Sequence, residues 1–233
     1  RCAEASIEFL STPFHEGAVD ELLDLGVRRF KLASGDITHR PLIERVAATG
    51  LPVIMSTGAA TFTEIGTALG WWMLAGRDLM DVTLLACSLI YPCPPEHAHL
   101  RRIAEIARAW PCRVGYSDHT REVETAMAAV ALGATVLEKH FALGDQPHVP
   151  DTAFALRVPQ MAAYVRAAQH AEVMLGAGLD HAHCEDAARV GARRSVCAGR
   201  RLRTGHVMEE GDFIMLRPGD GIEPALVGDL LGK

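Results

Sequence analysis

The chain reads as an α/β protein built on parallel strands: a (βα)8 barrel lacking its first two βα units, followed by a small C-terminal module. Three observations predict this. Short apolar runs rich in Val, Ile, Leu and Phe alternate with amphipathic segments, the pattern left by parallel strands joined through right-handed helical crossovers. Several of those runs stop in a hydroxyl, a glycine or a histidine. The stretch Ser195–Lys233 then changes texture, with turn-rich Arg203-Thr204-Gly205-His206-Val207 and Arg217-Pro218-Gly219-Asp220-Gly221.

Strands are expected at Ser6–Ser11, Arg29–Ala33, Pro52–Ser56, Val82–Ser88, Arg113–Ser117 and Thr135–Phe141. Amphipathic helices are expected between them at Gly17–Leu25, Pro41–Thr49, Thr63–Ala75, His99–Ala109 and Glu122–Leu132. Six strands alone also suit an open sheet. The start at Arg1, in mid-pattern and without Met, favours a barrel with a truncated N-terminus. Pro159–Leu175 reads as a long closing helix, with Met161, Val165, Ala168, Glu172 and Leu175 near one stripe, and Gly176-Ala177-Gly178 ends it. The expected division is a barrel domain over 1–176, a linker over 177–192 and a second domain over 193–233. That last piece is short for an independent core, which becomes marginal below about 40–50 residues. It is therefore expected to be truncated as well, or to lean on the barrel or a partner subunit.

With 233 residues, 49% hydrophobic and 22% charged, the composition is that of an ordinary globular protein able to bury a substantial core. A net charge of −6 argues against a nucleic-acid binder, which would carry a basic face. The charge is uneven, −8 over residues 1–188 and +2 over 189–233. No apolar run approaches the roughly 20 residues that cross a bilayer, and no leader pattern opens the chain. The six cysteines (2, 87, 93, 112, 184 and 197) form no CxxC pair and point to a reduced, cytoplasmic protein without disulfides. His181-Ala182-His183-Cys184 mimics a metal cluster, but no fourth ligand lies nearby in sequence and the stretch reads as linker.

Two motifs carry the chemistry: Gly115-Tyr116-Ser117-Asp118-His119-Thr120 and Leu137-Glu138-Lys139-His140-Phe141. Each ends a predicted strand and the two strands are consecutive, so His119 and His140 should end side by side. Neutral imidazole is a common ligand of divalent metals, and in a barrel the C-terminal strand ends form the catalytic face. Lys31 ends a strand in an apolar barrel mouth, where an ammonium without an anion is costly, so it should bind phosphate or carboxylate. Ser34, Ser56, Thr57, Gly58 and Ser117 would add neutral donors around the same anion. Alternation turns Lys139 away from the face that His140 uses, which makes it structural.

These motifs resemble the sialic acid synthases, the family of N-acetylneuraminate, legionaminic acid and pseudaminic acid synthases. The matching stretches are Ser11-Thr12-Pro13-Phe14, Phe30–Asp36, Pro52–Gly58, Ile90-Tyr91-Pro92, Gly115–Thr120, Glu138–Phe141, Pro150-Asp151 and Arg217–Gly221, in family order over the whole chain. The resemblance implies a TIM barrel followed by a small antifreeze-like (SAF) domain. It implies condensation of phosphoenolpyruvate with an N-acylated amino-hexose aldehyde, giving a nine-carbon 2-keto sugar acid and phosphate by C–O cleavage. It makes His119 and His140 the ligands of a divalent metal, Mn by family habit with Mg or Co as the other candidates. Asp36 becomes an acidic group near the reacting centre, and Lys31, Tyr91 and Thr12 join the phosphoenolpyruvate site. Asp151 would contact sugar hydroxyls, and Arg217 would reach a neighbouring active site across a domain-swapped homodimer. Pro150–Phe154 looks closer to the pseudaminic type, whereas Ser34-Gly35-Asp36 points to the sialic and legionaminic types.

Two other readings share these features. A metal-dependent pyruvate aldolase on a TIM barrel would use the same histidines and lysine without a phosphate cradle. A non-catalytic sugar-binding remnant would have no reason to retain both histidines, Lys31 and the Ser-Thr-Gly turn together.

Overall fold

Five of the apolar runs pair side by side. Strands β1 (Phe30–Leu32), β2 (Val53–Ser56), β3 (Val82–Cys87), β4 (Arg113–Asp118) and β5 (Val136–Lys139) form one sheet in sequence order, every neighbouring pair parallel. Sequential parallel strands with a helix in each connection are the winding of an α/β barrel, realised here as a curled half-barrel. The computed structural model describes residues 1–144, 149–176 and 183–233. The chain divides into two units, Arg1–Gly176 and Ala177–Lys233.

Strands β1 to β3 are buried along their whole length and β4 after Arg113, as parallel strands covered on both faces must be. Strand β5 is only half-buried, because among the described residues it has β4 on one side and no strand on the other. The helices are α1 (Glu16–Asp24), α2 (Arg40–Ala47), α3 (Phe62–Leu74), α4 (Arg102–Ala109), α5 (Glu124–Ala131) and α6 (Val158–Leu175). Prolines open α2 and α6, where the missing N–H costs nothing. Thr61 and Glu64 close a reciprocal capping box on α3: the Glu64 N–H donates to Thr61 Oγ1 at 3.2 Å, and the Thr61 N–H donates to Glu64 Oε2 at 2.7 Å. Helix α4 starts three residues later than periodicity suggests, because His99 has φ +47° and cannot join a right-handed turn. The core between helices and sheet is filled by Phe30, Leu42, Ile43, Ile65 and Trp72, all fully buried.

The expected strand Ser6–Ser11 is not one. Ile7, Phe9 and Leu10 are exposed, and the segment joins neither sheet. Apolar alternation gives a strand only where a neighbouring ladder takes up its amides. A side-chain contact reaches this segment from the residue before β1 instead, Arg29 Nε donating to Glu8 Oε1 at 2.8 Å. The stripe expected on the closing helix lines an open groove of about 580 Å3 with Val130, Leu137 and Lys139, but it is not the buried face: Val165, Glu172 and Leu175 are exposed, and α6 buries Tyr164 and Ala171 instead.

In the second unit, β6 (Ser195–Ala198) and β7 (Phe213–Leu216) pair antiparallel. Helix α7 (Asp186–Ala192) occupies part of the stretch the sequence suggests as linker. Asp212 is buried and accepts from the Glu209 N–H at 2.9 Å and from His206 Nε2 at 2.6 Å, with Arg200 in contact. The backbone donor first, and then His206, hold its carboxyl below the usual range. His181 lies outside the described residues, and His183 is fully exposed, 3.7 Å from Asp186. Among the described residues, no helix is long and apolar enough to cross a membrane.

Gly115 shows how closely β4 and β5 approach. A Cβ there would lie 2.3 Å from the Val136 carbonyl oxygen and 2.6 Å from Leu85 Cδ2. Gly115→Ala should therefore force β5 outward and cost about 1–3 kcal/mol, the usual scale for overpacking. Urea unfolding measures it, and an unchanged midpoint would contradict this packing.

Candidate functional site

Register builds the site. Within a parallel pair, aligned residues share a face and successive residues alternate. Ser117 aligns with Glu138 and Asp118 with Lys139, so His119 and His140 follow on the face of Ser117 and Glu138. Their ring centroids lie 5.3 Å apart at an interplanar angle of 60°. The expected juxtaposition of two imidazoles at one rim is present.

His119 is buried and its Nδ1–H donates to the Ser88 carbonyl at 2.8 Å. That bond fixes the tautomer and leaves Nε2 with a free lone pair, the arrangement found in metal-ligating histidines. Burial pushes its pKa down, against the Ser88 bond and with a smaller push from His140. The neutral ring is thus favoured, as a metal ligand requires. His140 is more open, with Asp151 Oδ2 3.7 Å from its Nδ1. Asp151 holds φ +68°, a left-handed conformation uncommon outside glycine that collects at functional sites. Tyr91 packs on both rings, 4.1 Å from His119 and 6.0 Å from His140, and Phe154 lies 4.9 Å from His140. Burial first, then Cys87, Asp151 and Glu138, push the Tyr91 phenol up to about 12. The backbone supports His140 as well: its carbonyl accepts from the Leu156 N–H at 2.9 Å.

Further round the rim, Lys31 is buried and saturated. Its Nζ donates to Ser56 Oγ at 2.8 Å and to the Leu32 carbonyl at 3.0 Å, and lies 3.3 Å from Glu138 Oε2. The anion that sequence reasoning required is in part the protein's own carboxylate. Ser117 Oγ donates to the other oxygen of Glu138 at 2.7 Å. One carboxylate therefore links the cation of β1 to the histidine strands. Ser34 Oγ accepts from the Gly58 N–H at 2.9 Å, and a Cβ on Gly58 would meet Ser34 Oγ at 2.9 Å and Cys87 Sγ at 3.1 Å. The turn needs glycine for that approach.

Other expected residues stand apart from this cluster. The Thr57 hydroxyl is buried and donates to the Leu85 carbonyl at 2.9 Å, pointing into the wall. Asp36 sits after β1 with His39 Nδ1 at 3.6 Å. Thr12 is half-buried on the unpaired N-terminal segment. Arg217 belongs to the second unit. Sequence reasoning missed Glu138 as a site residue, although its position two before His140 places it on the same face. It also missed Cys87, whose Sγ lies 3.8 Å from His119 Nδ1 and whose thiol is held up in pKa by burial. Arg102, which donates to the carbonyls of Cys87 and Thr57 at 3.4 Å and of Ala60 at 3.2 Å, left no signal in a helical pattern. Among the described residues, no three His, Cys, Asp or Glu side chains converge on one point. A divalent metal bound between the rings would take two imidazoles from this chain and keep open positions.

A curled half-barrel of parallel strands whose C-terminal ends gather paired imidazoles, a buried lysine and hydroxyls has the make-up of an α/β enzyme. Residues 1–180 match the NeuB family, and the chain belongs to that family of sugar-acid synthases. It is 34% identical over 231 residues to the N,N'-diacetyllegionaminic acid synthase of Campylobacter jejuni, covering 99% of this chain and 69% of the relative. The corresponding synthase of Legionella pneumophila is 35% identical over 97% of this chain and 65% of its own length. The crystal structure of the N-acetylneuraminic acid synthetase from Leptospira borgpetersenii, in complex with citrate, superposes with a TM-score of 0.75 at 30% identity, covering 80% of this chain and 65% of that one. The chain thus spans about two thirds of the length of these relatives.

Because the folded His119 resists protonation, an unfolded imidazole binds the proton first, near pH 6.5. The metal-free protein should be at full stability above that pH and lose stability as pH falls through it. His119→Asn should lose less on acidification from pH 7.5 to 5.5, compared by urea midpoints; equal losses would contradict the buried neutral ring.

Proposed function

We propose that the chain is the core of a sialic-acid-type synthase, which condenses phosphoenolpyruvate with an N-acylated amino-hexose aldehyde and releases phosphate. The observation that carries this reading is the continuous inner row of Lys31, Ser56, Ser117 and Glu138 running to the paired imidazoles. The half-barrel is then part of a (βα)8 barrel, and the second unit is an antifreeze-like domain. Arg217 acts in a homodimer, on the active site of a second copy.

The enol carbon of phosphoenolpyruvate attacks the aldehyde carbon, a C–C bond forms, and cationic character is left at C2. Water adds there, and the tetrahedral centre expels phosphate by breaking the C–O bond. Lys31 supplies the positive charge that holds the anionic end of phosphoenolpyruvate, with Ser56 and the Gly58 turn lending neutral donors. Glu138, steadied by Ser117 and Lys31, offers an acceptor for the proton of the adding water. His119 and His140 present their ring nitrogens to a divalent metal, Mn by resemblance, which supplies Lewis-acid polarisation of the aldehyde oxygen when bound. Asp151, beside His140, takes the sugar hydroxyls, and Tyr91 walls the site.

His119→Ala and His140→Ala should each abolish Mn-dependent phosphate release while the circular dichroism spectrum stays native. Wild-type rates in Mn-supplemented buffer after either change would remove the ligand assignment. Lys31→Ala should raise the KM for phosphoenolpyruvate by about 10-fold or more, on the scale of a lost charge-assisted contact, and leave the sugar KM nearly unchanged. Equal losses for both substrates would refute the anion role. Consumption of pyruvate without phosphate release would replace this reading with an aldolase.

A further inference from the structure

Behind the histidines, on the opposite face of the same two strands, lies a buried ion pair that the chemistry above does not use. Lys139 Nζ sits 2.8 Å from Asp118 Oδ2, with side chains 3% and 0% exposed. The two residues are register partners across β4 and β5, and each immediately precedes one of the paired histidines. Their bonds reach past each other. Lys139 Nζ donates to the Thr120 carbonyl at 2.6 Å and the Glu122 carbonyl at 3.4 Å, and lies 5.3 Å from the Tyr164 ring centroid of α6. Asp118 Oδ1 accepts from the Thr120 N–H at 2.9 Å and hydroxyl at 2.7 Å, while Oδ2 accepts from the Thr125 hydroxyl at the start of α5.

A buried ion pair is weak evidence for stability, since two well-packed apolar side chains of like volume often serve as well or better. Its better attested use is to fix register. Register matters most here because β5 has a strand on one side only among the described residues, and a one-residue slip would turn His140 to the helix face. The lysine also grips two carbonyls of the loop that leaves His119. We infer that Asp118 and Lys139 are positioning residues that hold β5 and the β4–α5 loop in the one register bringing His119 and His140 to a common ligand. The metal arm of this inference rests on the function proposed above; the ring geometry does not.

The test is the double apolar variant Asp118→Leu/Lys139→Met, with Mn(II) binding followed by electron paramagnetic resonance and ring-to-ring nuclear Overhauser contacts followed without metal. The expected result is cooperative unfolding near the wild-type midpoint, loss of the His119–His140 ring contact, and Mn(II) binding weakened about 10–100-fold, as for other supports behind metal ligands. A folded double variant that keeps both the ring contact and the wild-type Mn(II) affinity overturns the inference, because the pair would then be packing alone. Should the wild type itself bind no Mn(II), the metal reading fails and the ring contact alone decides this one. If the double variant does not fold, Asp118→Asn removes the charge of the ion pair and keeps the shape of the side chain. It should weaken Mn(II) binding and the ring contact in the same direction, and no change in either overturns the inference.

Discussion

The alignment of β4 with β5 is the constraint on which the rest depends. Odd-numbered positions of β4 and even-numbered positions of β5 turn inward, giving Ser117 and His119 beside Glu138 and His140. The intervening Asp118 and Lys139 turn outward to α5 and α6. The inward groups of the proposed site and the ion pair behind them therefore alternate along the same few residues. This is an economical consequence of a backbone whose side chains change face at every step. It also explains why β4 tolerates a glycine in mid-strand: without a side chain at 115, the two strands close tightly just below the level where the imidazoles meet.

Electrostatically the inner row is balanced before any substrate arrives. Lys31 is matched by Glu138, and the serine hydroxyls are shared between them. An anionic substrate does not fill an empty positive hole; it competes with, or adds to, a carboxylate already in place. The same carboxylate keeps the ammonium from being stranded in an apolar mouth, where a lone charge would be costly. On the histidine side, the Ser88 carbonyl accepts from His119 Nδ1 at 2.8 Å and the Asp151 carboxylate lies 3.7 Å from His140 Nδ1.

Much of this was legible in the amino acids. Five strands and all six helices of the first unit follow from apolar runs and helical spacing, and the side-by-side histidines follow from two motifs ending consecutive strands. What was hidden was contact rather than periodicity. Ser6–Ser11 has the composition of a strand but no ladder beside it, and composition carries no information about a neighbour. The late start of α4 depends on a single backbone angle at His99. Glu138 was within reach of the alternation argument that already disposed of Lys139, yet its pairing with Lys31 joins residues far apart in sequence. Thr57 looked like a donor at a strand end, and only the structure shows its hydroxyl spent on Leu85.

Arg102 has a mechanical consequence. One planar guanidinium clasps the carbonyls of Thr57, Ala60 and Cys87, so the turns leaving two neighbouring strands are pinned to a single rigid group on α4. Neither turn can swing without dragging the other and the helix with it. Any opening or closing at this mouth must come from the segments on either flank, with the central turns acting as a fixed anvil.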